Sequence, residues 1–266
     1  MELQRERSAI IKMRNKTNNQ IWAYIARAMG YSTEETEAER KKKFDIAAKI
    51  QKIIVMNAAT EKKMVEQNKV LPLKDLPKGY EFVKPVVEML VLATNGSLAA
   101  LEERKDAIEK AMAEQAKTLP VADWWQSHKG MAIGGLAKIV GEAGDIMDYE
   151  NPAKLWKRFG VAVLAGVAQG KLPAGTAKET WIEHGYCKRR RSELWQIGDV
   201  LIKLRTPKYR DIYDERKAYE TDRLIKELKK EGKDETKLKA IIPHRRAQRY
   251  MEKALLKDLF NQWHGN

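Results

Sequence analysis

Apolar residues between Leu3 and Met29 recur at mixed three- and four-residue steps (Ile10, Ile11, Ile21, Trp22, Ile25, Met29) and are followed by Gly30, predicting an amphipathic helix with a glycine stop. Ser32 and Glu35 have the spacing of a capping box. There the hydroxyl accepts from a free backbone N–H while the carboxylate reaches back, so a second helix is expected to start there. It should run through Phe44, Ile50, Ile53, Ile54 and Met64 and stop before Pro72. Leu71–Gly79, with Pro72, Pro77 and Gly79, reads as a connector; the apolar run Val83–Leu92 and the charged, heptad-like run Leu98–Lys117 follow. Together these pieces predict an antiparallel, coiled-coil-like helical arm over residues 1–118.

The pattern changes at Leu119-Pro120. Trp124 and Trp125 precede a Gly- and Ala-rich block from Gly130 to Gly144, which places a second domain at 119–266. Asn151-Pro152 is an N-cap followed by a first-turn proline, whose missing N–H is not needed there, and that short helix should close at Gly160. Gly166–Gly175 holds too many glycines for a regular element and reads as a loop. Further helices are expected over Tyr186–Arg205, Tyr209–Lys230 and His244–Trp263, punctuated by Pro207, Gly232 and Pro243. With no strand-like alternation of useful length, the expected fold class is all-α.

Composition agrees with a folded helical protein. In 266 residues, 43% are hydrophobic and 33% charged, with 16 Gly and 8 Pro, which excludes collagen-like and low-complexity chains. The single Cys187 can form no internal disulfide, so a reduced cytoplasmic location is expected. The charged N-terminus does not suit a signal peptide, and the apolar stretch Phe159–Ala168 is far short of the roughly 20 residues of a membrane span. Charge changes the picture most. Fifty-one Lys+Arg against 37 Asp+Glu give +14, the balance of a protein that meets a polyanion, and nucleic acid is the first such partner.

Two kinds of residue could hold phosphate. In His128-Lys129-Gly130-Met131-Ala132-Ile133-Gly134-Gly135, a glycine turn opening a helix leaves backbone N–H groups free at the positive end of the helix dipole. Lys129, Gly130, Gly134 and Gly135 then resemble one half of a helix-hairpin-helix, which grips sugar-phosphate without reading bases. The alternative is that Gly134, Gly135, Gly141 and Gly144 permit close helix packing. The second kind is charge: Lys188-Arg189-Arg190-Arg191 covers more than one helical turn, and Arg245, Arg246 and Arg249 open the last helix, where cations oppose the dipole unless an anion offsets them. A solvated face is the alternative.

Other signals fail. Gly166-Val167-Ala168-Gln169-Gly170-Lys171-Leu172 is one residue short of a P-loop and has Leu172 where Ser or Thr is required. The four His stand apart from any ligand-spaced partner, which argues against zinc. Asp145, Asp148 and Glu150 could gather a divalent ion, but a polar helix exit explains them better. The tryptophans read as core, with Trp181, beside the basic run, the one set apart as a base-stacking candidate.

Gly130 to Val163 resembles, without a gap, the core of the insertion-sequence transposases of the 110/116/902 group. The matching parts are the glycine hairpin at Gly130, the Ala-rich helix Ala137–Val140, the exit Gly144-Asp145, and the short helix Leu155–Gly160 with Val161 and Val163. The likeness extends to Gly185–Trp195, Tyr209–Lys217 and the last helix, and backward to Arg14, Asn18, Leu98-Ala-Ala-Leu-Glu and Leu119-Pro120. In that family a nuclease-like domain with an acidic tetrad binds magnesium, a serine of the C-terminal domain is the nucleophile, and some members use a guide RNA. Here residues 1–30 contain no Asp, and the resemblance implies that the chain starts inside the arm. The serine would fall near Gly166–Gly175, where Ala168-Gln169-Gly170-Lys171 stands; Thr176, Thr180 and Ser192 do not match its position.

The resemblance therefore implies the nucleic-acid-backbone-binding part of a transposase or site-specific recombinase, with no catalytic residue assigned. No cofactor is expected in this chain, and Mg2+ only where a separate nuclease-like domain is present. Expected partners are DNA, a structured guide RNA, and a second copy through the arm, with no membrane. The competing readings are a subunit completed in trans and a non-catalytic helical interaction protein.

Overall fold

The computed structural model describes residues 1–65 and 76–265. The fold is all-α apart from one very short hairpin, and no helix among the described residues is long and apolar enough to cross a membrane. The chain forms two compact units, one of Arg5–Glu109 and the other of Lys110–Asn266 with Met1–Gln4.

The first unit contains α2 (Glu37–Val65) and the greater part of α1 (Glu2–Ala28) and α3 (Lys84–Ala116). Antiparallel pairing is fixed by cross-links. Trp22 stacks on Phe44 at 4.5 Å and Gln51 donates to the Asn18 carbonyl, while Arg7 pairs with Glu109 and Arg14 with Glu102. Ile21, Ile25, Ala47, Ile50, Val83 and Val87 form its core. Gly30, at φ +72°, ends α1 in a Schellman turn in which the Tyr31 N–H reaches the Ala26 carbonyl at 3.0 Å.

Two expectations shift here. The capping box is Thr36 with Glu39, four residues beyond Ser32 and Glu35; Glu39 accepts from the Thr36 N–H and hydroxyl, while Glu35 is drawn to Lys43. The runs Val83–Leu92 and Leu98–Lys117, apart from their outermost residues, fall in one 33-residue helix that passes through Asn95-Gly96-Ser97. Gly96 weakens a helix only by about 1 kcal/mol relative to Ala, too little to break so long a one. The helix stop before Pro72 and the Leu71–Asp75 part of the connector lie outside the described residues.

The second unit holds α4 (Ala122–Gln126), α5 (Ile133–Ala143), α6 (Pro152–Arg158), α7 (Lys178–His184), α8 (Lys188–Lys203), α9 (Tyr209–Lys230) and α10 (Ile241–Gly265) around one core. Trp125, Leu136, Ile139, Phe159, Leu194, Tyr209, Met251 and Leu255 are all fully enclosed. Asn151 caps α6 as expected, its Oδ1 accepting from the Ala153 and Lys154 N–H groups. Helix α10 starts earlier than expected, at Ile241, so Pro243 lies inside its first turn, where no intrahelical N–H bond is lost. The expected loop at Gly166–Gly175 begins as the second strand of a hairpin, β1 (Val163–Leu164) with β2 (Val167–Ala168). Ala165 and Gly166 both have positive φ, as a two-residue type I′ turn requires.

Helix α8 ends in a Schellman turn without a glycine. The Thr206 N–H bonds the Leu201 carbonyl at 3.0 Å while Arg205 is held at φ +51°. An L-residue there is strained by about 1–2 kcal/mol, partly offset by the extra freedom glycine has when unfolded. Arg205→Gly is therefore expected to stabilise the fold by about 0.5–1 kcal/mol in urea unfolding at high salt.

Candidate nucleic-acid interface

The Gly130 bend joins α4 to α5 and is braced from within. The Thr206 hydroxyl donates to the Lys129 carbonyl at 2.6 Å, and a Cβ on Gly130 would lie 2.6 Å from Leu204 Cδ1, at φ +83°. Gly130 is thus required twice over, by conformation and by contact. Its outer side stays open: Lys129 and Gly130 are exposed, and nothing lies within 4 Å of a Cβ built on Gly134. Gly135 packs on Trp125 and Ile197, so at this position the close-packing alternative holds. Arg205, exposed beside Leu204 on the bracing turn, adds a cation that the sequence reading did not single out.

The run Lys188–Arg191 opens α8, and its cations have different fates. Arg189 forks onto Glu142, Nε to Oε1 at 2.8 Å and Nη2 to Oε2 at 3.0 Å, and Glu142 also accepts from Gln4 at 2.7 Å. Arg190 donates to the Arg158 carbonyl at 3.1 Å. Arg191 turns inward to Glu252 at 2.8 Å, with 12% of its side chain exposed against 0% for the carboxylate. Burial pushes the Glu252 carboxyl up to about 7, with Arg191 pulling against it. Lys188 alone of the four is exposed without an ion pair among the described residues. The run therefore fastens α8 to α5, α6 and α10, and only Lys188 and the half-exposed Arg189 remain open to solvent.

Arg245, Arg246 and Arg249 also separate. Arg245 is exposed. Arg246 reaches Glu220 of α9 at 3.2 Å, where Arg216 at 2.6 Å and Arg223 at 3.3 Å also converge. Burial alone would raise the Glu220 carboxyl, but Arg246 and Arg216 outweigh it and hold it below the usual range. Arg249 and, one turn on, Lys253 are half-buried, and neither has a carboxylate within ion-pairing distance among the described residues. Burial first, then neighbouring cations, lower both: Arg191 acts on Arg249, with Glu252 pulling the other way, and Arg216 and Arg249 act on Lys253.

These cations line two adjoining cavities. The larger, about 520 Å³, lies among α6, α9 and α10 and is bordered by Trp156, Tyr219, Tyr250, Arg216, Lys253 and Lys257. The smaller, about 220 Å³, shares Arg216, Tyr250 and Lys253 with it and adds Arg246 and Arg249. Arg216 sits 4.6 Å from the ring centres of both Tyr219 and Tyr250, and Lys253 5.4 Å from that of Trp156. Of the groove residues, only Arg246 and Arg249 had been expected at a site. The signal for the others was present: Arg246, Arg249, Tyr250, Lys253 and Lys257 share one face of a helix, and Arg216 and Tyr219 are three apart on another.

The remaining candidates have structural places. Asp145 caps the 3-10 turn Ile146–Asp148 by accepting from the Met147 N–H. Trp181 lies 6.5 Å from Tyr186, outside both cavities. Gln169, in the segment where the resemblance would put a nucleophilic serine, is buried and clasps the loop: it accepts from the Ala162 N–H and donates to the Lys157 and His184 carbonyls. No cluster of three metal-ligating residues occurs among the described residues. No known family, curated protein or solved structure matches this chain.

Proposed function

We propose that the second unit binds the sugar-phosphate backbone of nucleic acid, as the binding part of a transposase or recombinase of the kind its sequence resembles. The observation that carries this reading is the pair Arg249 and Lys253, half-buried side by side on the wall of one cavity, with Arg249 repelling Lys253 and Glu252 reaching Arg249 only at longer range than an ion pair. Holding two cations together out of full solvent is unfavourable unless an anion joins them, and a phosphate supplies the missing charge. Lys129 and Arg205 at the glycine bend, with Lys188 and Arg245, add exposed positive charge. Such contacts position a backbone without reading sequence.

The test is Arg249→Ala/Lys253→Ala in the full chain, with anisotropy on two duplexes of unrelated sequence at one salt concentration. Affinity should fall about 10-fold or more, and equally for both duplexes. Unchanged affinity, with wild-type circular dichroism, would remove the assignment. Replacing Arg189, Arg190 and Arg191 together is a poor test, because Arg189 and Arg191 hold buried carboxylates and their loss would disturb the fold itself.

A further inference from the structure

We propose that the groove among α6, α9 and α10 accepts an unstacked base of a single-stranded nucleic acid, held against Tyr219, Tyr250 and Trp156 with its phosphate on Arg249 and Lys253. This rests on the backbone-binding reading and adds to it a preference for unpaired strands. Aromatic surface is the reason. Tyr219 and Tyr250 are 54% and 49% exposed although each has a ring face 4.6 Å from Arg216, so their surface is left over after the internal contact is made.

Arg216 is itself tied to Glu220 at 2.6 Å, so the tyrosine–arginine–tyrosine stack is anchored and its rings are held in place in advance. Trp156 is fixed as well, its Nε1 donating to the Lys253 carbonyl at 3.0 Å. The larger cavity, about 520 Å³, falls within the size range of small-ligand sites and shares Arg216, Tyr250 and Lys253 with the cavity lined by Arg246 and Arg249. Aromatic rings beside a cationic track are the arrangement that grips single strands, because every base offers a π-face and every link offers a phosphate. A duplex has its bases already stacked and offers the groove only backbone.

The experiment compares three fluorescein-labelled probes on the full chain: a 12-nucleotide oligothymidine, an abasic strand of equal length, and a 12-base-pair duplex. Tyr219→Ala/Tyr250→Ala should weaken oligothymidine binding by about 10- to 100-fold while leaving the abasic strand and the duplex at wild-type affinity. Tyr219→Phe/Tyr250→Phe, which keeps the rings, should retain oligothymidine binding. Wild-type affinity of the alanine variant for oligothymidine overturns the inference, as does equal loss on all three probes. Failure of the unmodified protein to bind any probe overturns the backbone reading as well, so the two failures are distinguishable.

Discussion

Arg191→Met is expected to destabilise the second unit by about 3–5 kcal/mol at pH 8 and by clearly less at pH 5, measured by urea unfolding. Arg191 is the ion-pair partner of a carboxylate with no solvent exposure, and removing it leaves that carboxylate in the core with only Gln248 and the more distant Arg249 to favour its charge. The pH dependence has a definite sign. Burial holds the Glu252 carboxyl at about 7 in the folded protein, above the ordinary value of 4.5, even with Arg191 present. Stability from this group is therefore fully present below pH 4.5 and is lost as pH rises through about 7. Without Arg191 the folded value rises further, so the penalty grows toward alkaline pH. Arg191→Met/Glu252→Leu, which removes both charges, should recover most of the loss. Equal destabilisation at the two pH values would place the effect elsewhere.

Gly198 is expected to tolerate no side chain. Alanine in the middle of a helix ordinarily gains up to about 1 kcal/mol over glycine, yet Gly198→Ala should lose about 1–2 kcal/mol. A Cβ there would lie 2.8 Å from Glu252 Oε1, 3.0 Å from its Cγ and 3.1 Å from Gln248 Nε2, and both of those residues are buried. The bare backbone of α8 at Gly198 is what lets α10 come close enough to enclose Glu252. Gly198→Leu should cost about 3 kcal/mol or more and raise solvent access to the carboxylate. A stabilised Gly198→Ala protein would mean that α8 and α10 separate easily, and the dry environment assigned to Glu252 would fall with it.

Local punctuation was legible in the sequence where one residue type has one physical solution. Asn151-Pro152 and the Gly30 stop are such cases, and α9 runs over Tyr209–Lys230 as the flanking Pro207 and Gly232 imply. Where two neighbours offer the same chemistry, register was lost: Ser32/Glu35 and Thr36/Glu39 have the same capping-box spacing, and Lys43 decides between them by taking Glu35. The β1–β2 hairpin was invisible because two residues per strand show no alternation.

The candidate site divides in the same way. The charge of Lys188–Arg191 could be read, but not its direction, because Glu142 lies 47 positions from Arg189 and only the fold brings them together. Arg249 was found as part of a cluster of cations. Its companions Lys253, Arg216, Tyr219, Tyr250 and Trp156 come from three helices, and no local spacing joins all three.

The most direct measurement of the central claim is the salt dependence of nucleic-acid binding by the full chain and by Arg249→Ala/Lys253→Ala. Log affinity should fall linearly with log salt for the unmodified protein, and the slope should shrink by about 1–2 in the variant as phosphate contacts are lost. A slope identical in the two proteins, or affinity indifferent to salt, would contradict it.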